Sequence, residues 1–450
     1  MRPSLLASLV SLSLCAVACD DPVRPDPVSP SNTVGGTTAT PPASSPAAVA
    51  SSSAPKPDAP PVAPPPADAV SKLASGSNAF GFDLYERIKK KPGNQIFSPF
   101  SITTALTMTW GGAKGETADQ MKKVLHLEGT PAEVMSTSGT LAASLEDKSR
   151  PITFRIANQL FGETTYKFEQ PYLDQTKKAY GAPLELVDFI KGPEAARVRI
   201  NGWVETETEK RIKDLIPKDA IKSDMRLVLV NAIYFLGDWE SPFEKNHTRP
   251  AAFYKTTKDK LDVPTMHQSG SFNYTKKDGV AALELPYKGG DMSMVIVLPE
   301  KADGLDAVEK SLDEKKLADL LQGMKKERVS AAIPKFEVAP ADSLSLGDML
   351  IEMGMKAAFD PKKADFTLIA NPPNPDDRLV IGKVFHKAFV KVDEKGTEAA
   401  AATAVLMPRA GSAPVQMIDF KAEHPFLFVI RDTKSGLVLF MGRVADPSKT

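Results

Sequence analysis

The chain has 450 residues, with 56 basic side chains against 56 acidic ones and a formal net charge of +0. That balance excludes the strongly basic field expected of a nucleic-acid-binding surface, while an apolar content of 42% is enough for a sizeable buried core. Its two cysteines, Cys15 and Cys19, both lie near the N-terminus, so no disulfide can staple a domain further along the chain.

Residues 1–18 read as a signal segment. Arg2 precedes an apolar run from Leu5 to Ala18 that is too short to span a membrane. Ala16-Val17-Ala18 directly before Cys19 resembles a bacterial lipoprotein cleavage site, at which the Cys19 thiol would carry the lipid. The expectation is export, with membrane attachment through a lipid anchor only; a plain secretory signal is the alternative. From Asp20 to Val70 the chain is rich in Pro, Ala and Ser and has no Leu, Ile, Met or aromatic residue. Such a stretch cannot bury enough apolar surface to offset its ordering entropy, so residues 19–70 read as a disordered linker. A folded domain is expected over 71–448.

Within it, Asn78 to Tyr85 carries apolar residues at helical spacing. Ser98 and Ser101 open a second helical run, Thr103 to Trp110, which Gly111-Gly112 closes; read locally, one serine is an N-cap. The glycines through Gly115 lack the spacing of a phosphate loop and follow a helix rather than a strand. Phe154 to Gly162 alternates as a strand, and Ile200 to Val204 reads as helix with an exit turn near Pro217. Leu227 to Phe235 is an apolar run broken only by Asn231, as a buried central strand would be; a buried Asn needs partners. Val263 to Tyr274, Ala282 to Tyr287 and Met292 to Pro299 read as successive antiparallel strands, and Ala332 to Phe336 continues the pattern.

The stretch Lys391 to Pro414 is the most unusual. Four alanines behind Glu398 favour helix on propensity, yet no apolar face recurs. As an extended segment its alternate residues Thr397, Ala399, Ala401, Thr403 and Val405 are all small, so it could slide between two strands. Taken alone it also fits an Ala-rich surface linker.

Its flanks, Leu379 to Val405 and Phe420 to Pro447, closely resemble the hinge, reactive loop and C-terminal strands of serpins, the suicide protease inhibitors. Glu423 departs from the Asp, Asn or Gln usual before His-Pro-Phe. The resemblance implies an α+β serpin fold: a large central, mostly antiparallel sheet, two further sheets, about eight to nine helices and an exposed reactive-centre loop. It implies a hinge at Glu394, Gly396, Thr397, Glu398, Ala399, Ala400, Ala401, Ala402 and Thr403. It also implies a shutter cluster of Ser98, Ser101, Asn231 and His386, and a breach at Gly237 and Trp239. Family hinge length puts the cleaved bond between Ala410 and Gly411, suiting elastase- or subtilisin-like proteases; one residue earlier, Arg409–Ala410 would suit trypsin-like ones. The partner implied is thus a target serine protease, met by a monomer. A non-inhibitory binding or chaperone serpin is the competing class, and a tethered adhesin a third.

An enzyme is not expected. None of the five histidines (His126, His247, His267, His386 and His424) sits in an HExxH, GxSxG or metal-ligand spacing. His386 reads as a satisfied core histidine rather than a general base, and no cofactor or metal is called for.

Overall fold

The computed structural model describes residues 65–181, 184–397 and 416–449. The first helix, Ala67–Ile88, begins four residues before the domain start expected at Ser71. It buries Leu73, Phe80, Leu84 and Ile88, one face at helical spacing. The second, Pro99–Trp110, is buried at every position, as a helix apolar all round must be. Pro99 stands in its first turn, where a missing N–H costs nothing, and the Ser98 hydroxyl accepts from Ser101 N at 3.1 Å. Pro131–Leu145 starts with a full capping box, Thr130 and Glu133 bonding each other's backbone. In all, nine α-helices fall among the described residues.

Among the described residues the strands form two sheets, the two smaller ones expected being joined into one. The strand Lys260–Lys277 is 18 residues long and pairs with Arg249–Tyr254, Val280–Pro286 and Lys325–Pro334. At about 3.3 Å per residue it spans roughly 60 Å, enough to carry both smaller sheets as one nine-stranded network. Its edge strand, Ile418–Lys421, pairs in parallel with Lys325–Pro334 through four residue pairs.

The central sheet has eight strands. Leu227–Asp238 runs through its middle, antiparallel to Ile152–Glu163 over eleven residue pairs. On its other side it pairs in parallel with Val384–Ala388, Leu229 opposite Val384 through Ile233 opposite Ala388. Past Ile233 the two strands part. Val390–Val392 continues along Phe336–Val338, and the chain turns back so that Gly396–Thr397 fills the gap. Gly396 pairs with Asp238 and Thr397 with Gly237, antiparallel, while Thr397 also faces Val392. The sheet is therefore a fork, closed below and wedged at its head by two residues.

Candidate functional site

The closed part of the fork holds a polar cluster. Asn231 and His386 are directly opposite in the parallel pair and are 1% and 0% exposed. The backbone N–H of Ser98 donates to His386 Nε2 at 3.0 Å. That nitrogen must be the bare one, so the ring proton sits on Nδ1 and is donated to Asn231 Oδ1. The Asn231 amide donates to Ser101 at its carbonyl oxygen (2.7 Å) and hydroxyl (2.5 Å), and to Asn158 Oδ1. Burial pushes the His386 pKa down to about 3, so the ring is neutral at any physiological pH. The structure thus brings Ser98, Ser101, Asn231 and His386 together beneath the sheet, and Ser98 is also the helix N-cap read from the local pattern. Asn158 is a member that the sequence did not single out.

At the head of the fork Gly396 lies so close to its neighbour that a Cβ there would stand 1.9 Å from Gly237 O and 2.7 Å from Asp238 Cα. Only glycine permits this approach. Thr397 is fully buried, and its hydroxyl meets the Tyr287 hydroxyl at 2.7 Å. The Tyr287 ring stacks on Trp239 with centroids 4.6 Å apart. Trp239 binds the turn twice: Nε1 donates to Asp393 O at 3.0 Å and its backbone N–H to Lys395 O at 2.6 Å. Asp393 N in turn donates to Gly396 O at 2.9 Å.

Glu394 is 5% exposed, and its carboxylate accepts from Lys335 Nζ at 2.9 and 3.1 Å and from Thr248 Oγ1 at 2.8 Å. Burial alone would raise its pKa, but hydrogen bonds from Lys335, its own backbone and Thr248 outweigh that and hold it below the usual range. Tyr287, Lys335 and Thr248 were not expected. Each lies at least 59 residues from its partner, and no spacing in the sequence points to it.

Glu398, Ala399 to Ala402, Thr403, Arg409, Ala410, Gly411 and Cys19 lie outside the described residues. Among the described residues no group of three or more His, Cys, Asp or Glu is placed to hold a metal, and no helix is long and apolar enough to cross a membrane. What the site offers is mechanical: a docked two-residue strand poised over a closed seam between two strands.

Comparison with known proteins bears on what such a seam is for. The family model described as serpin (serine protease inhibitor) matches residues 75–447. Human Serpin B3 is 40% identical over 399 residues, covering 84% of this chain and 100% of the relative. A leukocyte elastase inhibitor from Xenopus tropicalis is 38% identical over 387 residues, with 84% and 100% covered. Among solved structures, uncleaved ovalbumin superposes with a TM-score of 0.75 at 28% identity, covering 84% of this chain and 100% of that one.

Proposed function

The chain belongs to the serpin family, and from that premise we propose that it is a suicide inhibitor of a serine protease. The protease seryl oxygen attacks the carbonyl carbon of Ala410, the bond to the Gly411 nitrogen breaks, and the new amine leaves with the C-terminal fragment. Before water hydrolyses the ester, the freed hinge runs down the fork as an added strand, carrying the acylated protease with it.

The observation that carries this reading is the fork. Gly396 and Thr397 are paired antiparallel to the end of the central strand, while the seam below is held by parallel pairing. Continuing that register one residue at a time would set Ala399 opposite Phe235, Ala401 opposite Ile233 and Thr403 opposite Asn231. Their side chains would take the buried face that Thr397 occupies, and all are small. A strand inserted there exchanges one parallel ladder for two antiparallel ones, the more stable pairing per residue. His386 would have to release Asn231 as the strand passes.

Ala410–Gly411 favours an elastase- or subtilisin-like target, and the similarity to an elastase inhibitor supports that choice; cleavage at Arg409–Ala410 would indicate a trypsin-like one. We further propose that the domain is exported and tethered through a lipid on Cys19 by residues 19–70. The inhibitory reading is tested by mixing the protein with elastase, subtilisin and trypsin separately and sequencing the released fragment. An SDS-stable band at the summed mass, with a fragment starting at Gly411, is expected. Clean cleavage by each of the three with no such band overturns the inhibitory reading.

A further inference from the structure

The hinge turn carries two neighbouring charges whose surroundings are opposite. Glu394 is satisfied, its carboxylate accepting from Lys335 Nζ and Thr248 Oγ1. Lys395 is not. Its Nζ is enclosed and has no hydrogen-bond partner, and no other lysine nitrogen among the described residues is shut in this way. The two acids beside it in the chain are engaged elsewhere. Glu394 faces Lys335, and Asp393 Oδ1 accepts from the backbone N–H of Lys395 at 2.9 Å.

A lysine stem is usually long enough to carry its head to water. Here the docked backbone sets where the stem starts. The Lys395 N–H is bound to Asp393, and its carbonyl oxygen accepts from Trp239 N at 2.6 Å, so the residue is gripped on both sides. Side chains two apart along extended chain share a face, and Thr397, two residues on, is fully buried. The grip that docks the hinge therefore directs the Lys395 stem inward too. The residue as a whole is half-buried, but its charged end is the part shut in. An ammonium kept from water without a partner loses hydration that nothing replaces. When the turn lifts, Trp239 releases Lys395 O and the ammonium returns to water. The cost thus falls on the docked hinge and not on the undocked one. Tyr287 and Lys335 hold the hinge in; Lys395 works against them.

We propose that Lys395 is a built-in destabiliser of the docked hinge, its unpaired ammonium setting how readily the wedge at Gly396–Thr397 leaves the sheet. The inference concerns the free protein, and its test does not depend on protease inhibition. Native-state hydrogen exchange of the full chain reads it at Trp239 N–H and Asp393 N–H, the amides that close the turn. Neither adjoins residue 395 in the chain, so a substitution there leaves their intrinsic rates alone. Lys395→Met keeps an unbranched stem and removes the charge; exchange at both amides should slow at least about fivefold. Lys395→Arg keeps the charge and should not slow it. Amides of Ile152–Glu163 should hold their rates in both variants, which separates the hinge from global stability. Exchange in Lys395→Met that is about as fast as in the parent, or faster, overturns the assignment. Equal slowing in Lys395→Arg overturns it too, because the charge is then not the cause. Should Lys395→Met fail to fold, Lys395→Gln removes the same charge and is read in the same way.

Discussion

Replacing Tyr287 by Phe removes one oxygen and nothing else. The ring keeps its stack on Trp239 at 4.6 Å and its edge contact with Phe235 at 4.8 Å, so no cavity opens. What is lost is the partner of the Thr397 hydroxyl, 2.7 Å away and fully buried. A buried hydroxyl left unsatisfied costs about 1–2 kcal/mol, and that cost falls on the docked hinge alone. The population of undocked hinge should therefore rise about 5- to 30-fold. Two amides report it: Trp239 N–H, which donates to Lys395 O, and Asp393 N–H, which donates to Gly396 O. Their native-state hydrogen exchange should quicken by that factor, while amides of Ile152–Glu163 hold their rates. Thr397→Val should act alike, and the double variant should cost about as much as either single one, because both delete the same bond. Exchange within twofold of the parent in Tyr287→Phe, or strictly additive effects in the double variant, would refute the view that this bond holds the hinge.

Three other outcomes are expected. On the proposed inhibitory reading, Thr397→Arg should be cleaved as a substrate without trapping, since a guanidinium cannot occupy a fully buried face; unit stoichiometry of trapping on denaturing gels would contradict this. Glu394 has a lowered pKa, so its contribution is present above its ordinary value of 4.5 and is lost as pH falls through the depressed one. Proteolysis near the hinge should therefore rise for the parent only well below pH 4.5, whereas Glu394→Gln should be equally susceptible there and at pH 7. His386 binds no proton in the fold until about pH 3, whereas an unfolded histidine titrates near 6.5. Stability is then full above 6.5 and declines as pH falls, by about 2 kcal/mol at pH 5; denaturant midpoints of the parent and His386→Gln should converge between pH 7 and 5.

Elements whose logic is local were legible in the sequence. The apolar run around Asn231 became the central strand, and Ser98 became the cap of a helix buried on all sides. Thr130, Pro131 and Glu133 carry an equally local capping-box signal. The polar cluster could be named in advance only through the family resemblance, since nothing near Asn231 in the chain points to His386, 155 residues away. Tyr287 and Lys335 escaped for the same reason: their partners are set by the registers of strands from different parts of the chain. The merging of the smaller sheets was hidden because its cause is the unbroken length of Lys260–Lys277, and periodicity does not reveal where pairing partners change.

The short edge strand Ile418–Lys421 acquires a mechanical meaning beside the wedge at Gly396–Thr397. Twenty residues of chain separate the two pairings, which lie one in each sheet. The far end is held by four parallel residue pairs, against two antiparallel pairs to the central strand at the wedge. On the proposed inhibitory reading, this second attachment restrains the uncut chain, and a cut between the two attachments frees the hinge from it. On the same reading, lengthening the span by a few glycines should loosen that restraint without any cut, so that the protease-trapping capacity proposed for the uncleaved protein decays faster on standing.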